Sequence, residues 1–179
     1  MKSGLTGDWD KLANILDPVR MRKKLSAATK RAGANAVSAV KKGIVGGEPG
    51  GIPFWPLREF TKERKGSSKP LIDHGDLLGG ITYEEIDIDT VWVGVKKGSR
   101  SSSGGDLADI AWVHEYGALI EVTPKMRAYL HSQGLHLKPD TEYVVIPPRS
   151  FLRATLNDGE FREGLARTYL KALKEHFLP

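Results

Sequence analysis

Few residues in this chain are of a type that could carry chemistry, and His114-Glu115 comes first among them. A zinc hydrolase needs two histidines four apart on one helix face, with a glutamate acting on the metal-bound water. Position 118 is Ala118, so the second ligand is missing and catalytic zinc is not expected. Asp73, His74 and Asp76 offer an acid, a base and an orienting carboxylate, but acid–base catalysis needs them to converge in a pocket. Residues this close on a short turn rarely face one another, so capping and turn roles are favoured. His131 and His136 flank Gly134 with no further ligand in sight and read as surface loop histidines. The chain has no cysteine, which removes disulfides, thiolate nucleophiles and cysteine–zinc sites together. The expectation is no catalytic residue, no metal and no cofactor.

Charge is the next signal. The net charge is +5, yet no acidic residue falls between Asp17 and Glu48, where Arg20, Arg22, Lys23, Lys24, Lys30, Arg31, Lys41 and Lys42 give +8 and leave −3 for the rest. Asp17-Pro18 is a helix start, because the aspartate accepts from free N–H groups and proline loses nothing at the first helical position. The alanine-rich run that follows predicts an amphipathic helix to about Ile44, about 40 Å long at ~1.5 Å per residue. Met21, Leu25, Ala28, Ala32, Ala36 and Ala39 fall in one arc. Arg20, Lys23, Lys24, Lys30, Arg31, Lys41 and Lys42 fall opposite, and only Arg22 strays. Such a basic face has three readings: a solvated surface, contact with DNA phosphates, or contact with an acidic partner protein. No aromatics are interleaved to stack bases, which argues against single-strand recognition. Gly46-Gly47 ends the helix.

Downstream, a glycine- and proline-rich stretch from Gly46 to Pro70 reads as an extended excursion pinned by Phe54, Trp55, Leu57 and Phe60. Asp73 to Leu78 predicts a short helical turn. Ile81 to Ile88 and Val91 to Val95 predict an antiparallel hairpin turning at Asp89-Thr90, with Trp92 on the face opposite the alternating valines. Gly98 to Asp106 is a flexible loop by composition. Leu107 to Tyr116 predicts a short helix stopped by Gly117, and Leu119 to Val122 a strand. Thr123-Pro124 starts another helix to Ser132, and Tyr143 to Ile146 is a strand ended by Pro147-Pro148. Ser150 is a candidate cap for Phe151 to Leu156, and Asp158 for a last helix with Phe161, Leu165, Tyr169, Ala172 and Leu173 on one side.

These elements predict an α+β fold: a small antiparallel sheet packed by a long N-terminal helix and a C-terminal helix, with long loops. At 179 residues one domain is the default. It divides into a basic amphipathic helix region (1–45), an extended loop (46–70), a sheet core with short helices (71–157) and a C-terminal helix (158–179). The N-terminus shows no apolar signal-type run, and no apolar stretch approaches the roughly 18 residues of a membrane span. Trp55, Trp92 and Trp112 are large apolar anchors for which core packing is the default. Trp55 and Trp92, with Met21 and Leu25, are candidate interface residues.

One ordered series of short signals adds a family expectation. Phe54-Trp55-Pro56-Leu57, Asp73-His74-Gly75-Asp76-Leu77 and Trp92-Val93-Gly94 come first. Ala108-Asp109-Ile110-Ala111-Trp112-Val113-His114-Glu115-Tyr116-Gly117, Thr123-Pro124-Lys125-Met126-Arg127 and Ile146-Pro147-Pro148-Arg149-Ser150-Phe151-Leu152 follow. In this order they resemble the phage virion morphogenesis family, the tail completion, tail terminator and head–tail joining proteins of Mu-like and related tailed phages. At the Asp73 turn the family has a Thr-Gly-x-Leu-like pattern; Gly75 and Leu77 match it, while Asp73 and His74 depart. The resemblance makes His114-Glu115-Tyr116-Gly117 a helix end with His114 a packed, hydrogen-bonded histidine, and it implies a structural virion protein rather than an enzyme. It would form a homo-oligomeric ring, expected to be a hexamer, at the tail end or neck. Its partners would be copies of itself, tail tube and head–tail connector proteins, with non-specific contact to packaged DNA and none to a membrane. Its place would be the virion, and the host cytoplasm during assembly. A stand-alone nucleic-acid-binding protein is the alternative, and a hydrolase the weakest reading.

Overall fold

The computed structural model describes residues 7–65 and 67–177, with the side chains of positions 9, 10, 11 and 14 outside that description. Gly66 of the charged loop and the last two positions of the C-terminal segment therefore lie outside the described residues. A short helix α1 (Trp9–Leu16), beyond the expected elements, precedes the long α2 (Pro18–Gly46). Asp17 caps α2, its carboxylate accepting from the Val19 amide at 2.9 Å, and Gly47 closes the helix in the left-handed conformation at φ 81°.

The buried side of α2 comprises Ala28, Thr29, Ala32, Gly33, Ala36, Val40 and Ile44. This arc is wider than the predicted alanine stripe, because two different partners share the helix. C-terminal α8 (Gly159–Phe177) lies along it, and the hairpin of β1 (Ile81–Glu85) and β2 (Val91–Val95) covers a second flank. Met21 and Leu25, at the helix's outer end, are half-buried rather than open. Gly33 sets the approach of the hairpin: a Cβ there would stand 2.5 Å from Tyr83 Cδ2 and 2.8 Å from Val91 Cγ2.

In the β1–β2 register Ile81 faces Val95, Tyr83 faces Val93 and Glu84 faces Trp92. The turn sits at Asp87 to Thr90, where the Thr90 amide donates to the Asp87 carbonyl, so β1 stops short of the expected Ile88 while β2 spans the expected Val91 to Val95. The core gathers Val40 and Ile44 from α2, Leu77 from α4 (Asp76–Gly80), Ile81 and Val95 from the hairpin, Leu107 and Ala111 from α5 (Leu107–Tyr116), and Phe151. Phe151 is fully enclosed, and each such large side chain contributes roughly 1.5–3 kcal/mol by leaving water.

The expected excursion over 46–70 is corrected in part. It contains a 3-10 turn at Pro49–Gly51 and a helix α3 (Glu59–Lys65). The charged run folds because its order suits a helix: Glu59 begins it, Lys62, Arg64 and Lys65 end it, and Lys62 pairs with Glu59 at 2.7 Å. The expected single sheet is also two. β3 (Ala118–Glu121) pairs antiparallel with β4 (Tyr143–Ile146) across α6 (Pro124–Ser132), separately from β1–β2. The α+β class holds, with α7 (Leu152–Asn157) leading into α8. Among the described residues no helix is long and apolar enough to cross a membrane.

Candidate functional site

The strongest local construction is built on Glu115, whose side chain is buried at the end of α5. Its carboxylate accepts from the Ser150 hydroxyl at 2.6 Å, from the amides of Phe151, Leu152 and Arg153 at 2.9–3.0 Å, and from Arg153 Nε at 3.1 Å. These are the free donors at the start of α7, so a carboxylate from another helix does the work of an N-cap. Burial alone would raise the proton affinity of Glu115; the bonds from Ser150, Leu152, Phe151 and Arg153 outweigh it and hold the carboxyl below its usual range. Ser150, the expected cap, takes part by accepting from the Ala154 amide while donating to Glu115. Arg153 also donates to the Glu115 carbonyl at 3.0 Å and lies 4.4 Å above the Tyr116 ring. A carboxylate so fully engaged is a structural clasp, not a general base.

The other chemical candidates stay apart. Asp73 lies 3.4 Å from His74 with both side chains mostly exposed, and Asp76 is occupied by the amide and hydroxyl of Ser102 at 2.8 and 2.6 Å. Those bonds hold Asp76 below the usual carboxylate range. They also help tie down the Gly98–Asp106 segment, where the Asp106 carboxylate accepts from Gly98 and Ala108, so the loop expected to be flexible is internally braced. His131 and His136 touch edge to face at 4.4 Å between centroids, both exposed, and no metal-holding group occurs among the described residues. His114 is packed as expected, but without the expected hydrogen bond: its Nδ1 is buried with no partner among the described residues. Burial, with Arg149 and Lys65 nearby, lowers its pKa to about 4.

Surface features remain as carriers of function. Of the basic residues on α2, Lys23, Lys30, Arg31 and Lys42 are exposed, while Arg20, Lys24 and Lys41 are half-buried. Two are engaged within the chain: Lys30 stands 3.2 Å from Glu85, and Lys24 Nζ donates to the Glu175 carbonyl near the end of α8. Lys23, Arg31 and Lys42 keep no partner among the described residues. Three tryptophans expected as core anchors are not core: Trp55 is 68% exposed, Trp92 38%, and Trp112 is also open, its ring 5.3 Å from that of Tyr116. Trp55, expected to pin its loop, instead leaves Phe54, Leu57 and Phe60 half-buried in that role.

The β3–β4 hairpin is the largest departure. Leu119 and Val145 are cross-strand partners on one face, 64% and 67% exposed, and Ile120 and Tyr143 are also open. Among the described residues no other element packs broadly on this sheet. Its alternating apolar pattern was legible, but not the absence of a covering layer. No family model, curated protein or solved structure matches this chain.

Proposed function

We propose that this chain is a structural virion protein of a tailed phage, a tail completion, terminator or head–tail joining component that acts as a homo-oligomeric ring. The β3–β4 hairpin carries the reading. A two-stranded sheet is marginal in water by itself, and here it presents apolar side chains that no layer formed by the described residues covers. A neighbouring copy seated there, repeated by one rotation, closes a ring. The ordered motif series supports the family, with Gly117, Thr123-Pro124 and the Pro148 to Phe151 segment flanking this hairpin in the chain. Tail tube and connector proteins, and a six-fold ring, belong to the same proposal, as does location in the virion. Electron microscopy of purified particles tests it: density for this chain as a ring at the tail end or neck is expected, and a joint lacking the chain overturns it.

A second reading rests on the outward cations Lys23, Arg31 and Lys42, which are free to meet phosphates as a stand-alone nucleic-acid-binding protein would. Duplex binding that weakens steeply with salt would favour it, and no binding at low salt would end it.

A further inference from the structure

Away from the exposed hairpin, a cavity of about 260 Å³ lies between α3, the turn before α4, and α5. Lys65, His114 and Arg149 line it together with the apolar side chains of Leu77, Leu107 and Ile110. Arg149 is the anomaly. It is only 8% exposed, yet no carboxylate among the described residues lies within ion-pair distance of it or of Lys65. Arginine cannot shed its proton, so a largely buried side chain turns an accessible positive end to the cavity with no carboxylate among the described residues in ion-pair reach, a place an anion can fill. Its Nε donates to the Trp55 carbonyl at 3.2 Å, which fixes the plane of the guanidinium; the terminal nitrogens donate to no protein atom among the described residues. The backbone holds the position from the other side, the Arg149 amide donating to the His114 carbonyl at 2.6 Å. Lys65, half-buried, donates to the Lys69 carbonyl and feels the charge of Asp73 from beyond ion-pair distance.

We propose that this cavity is a binding site for a small oxyanion, a carboxylate or phosphoryl group, held by the terminal nitrogens of Arg149 with Lys65 as the second cation. The planar donor fork of arginine matches both groups in bidentate fashion, and the apolar wall of Leu77, Leu107 and Ile110 strengthens the contact by excluding water. Asp73, His74 and Asp76 also line the cavity. Asp76 is satisfied by Ser102 and Asp73 is mostly exposed beside His74, so neither neutralises Arg149, but both repel an anion and keep the affinity modest.

Titration of the full chain with inorganic phosphate and with acetate, at constant ionic strength with chloride as control, tests the site. The arginine Nε–H resonance of Arg149 is followed by NMR. The expected result is a saturable shift with half-effect at about 1 mM for one probe or both, and the probe that saturates first identifies the group as phosphoryl or carboxylate. Arg149→Gln, followed like the unaltered chain at the backbone amide of His114, should abolish saturation. Lys65→Gln, which leaves the guanidinium in place, should raise the half-effect concentration about tenfold, and this reading stands whether or not the Arg149 variant folds. Shifts that grow linearly and match chloride overturn the proposal, as does an unchanged half-effect in Lys65→Gln.

Discussion

The region around α2 and the segment from β3 to β4 are both apolar in pattern, yet only the first is closed. Around α2, a hairpin, α8 and α7 occupy the inward arc, and small residues such as Gly33, Ala32 and Ala36 let them come close. Between Ala118 and Ile146 the strands pair with each other and leave Leu119, Ile120, Tyr143 and Val145 to solvent. Burial in this chain is thus decided by which neighbours arrive, not by local hydrophobicity. The contrast separates residues that hold the fold from residues available to a partner.

Breaking the closed region should give the largest effect. Glu115→Gln puts an amide against donors that need a charged acceptor, and is expected to cost about 2–4 kcal/mol in urea denaturation. A change under half a kcal/mol would show that the clasp at α7 is ornamental. Acid should act on the same half of the molecule. The pKa of His114 is depressed from 6.5 to about 4, so the unfolded chain binds its proton first as pH falls. Above pH 6.5 the group contributes nothing either way. Stability should then decline between pH 6.5 and 4, by about 1–3 kcal/mol after discounting for the ring's partial exposure. His114→Gln should flatten that stretch of the curve. Glu115, also depressed, contributes stability that is present above its ordinary value of 4.5 and lost as pH falls below it, so its variant should flatten the more acidic part.

Next comes packing. Gly33→Leu drives a side chain into Tyr83 and Val91 and should cost about 1–3 kcal/mol, measured as a lower melting temperature. The open region should respond in the opposite sense. Leu119→Ser with Val145→Ser should change monomer stability by only about 0.5 kcal/mol. Self-association, read by sedimentation, should fall markedly. If instead the monomer loses stability as the Glu115 variant does, the hairpin is a hidden part of the core and the contrast collapses. The smallest expected effect is charge reversal at Lys23, Arg31 and Lys42, which should leave stability within about 0.5 kcal/mol and lower only affinity for polyanions.

Local signals were legible wherever one residue type enforces one geometry. Asp17-Pro18 and Gly47 bounded α2, Thr123-Pro124 opened α6, and Tyr143 to Ile146 was read as it stands. Glu115 was not legible as a cap because its donors come from positions 150–153, and nothing local marks so distant a partner. Helix α3 was hidden by a composition that resembles a solvated linker, although Glu59 and Lys62 already stood at helical spacing. The unsheltered face of Leu119 and Val145 was illegible in principle, since alternation looks the same whether or not another layer covers it. Arg149 could be noticed only within its motif, because its burial depends on distant partners, the Trp55 carbonyl and the end of α5 at His114.

Thr29 sits wholly enclosed on α2, with its hydroxyl donating to the Ile88 carbonyl at 2.6 Å and 3.0 Å from the Tyr169 hydroxyl. A hydroxyl has one hydrogen, so Tyr169 must be the donor of the second bond. One oxygen atom thereby bolts the tip of the first hairpin to the last helix straight through the middle one. Sliding α8 by a single residue, about 1.5 Å, would strand that oxygen, so the hairpin tip and the chain's final helix keep a common register and travel as one piece.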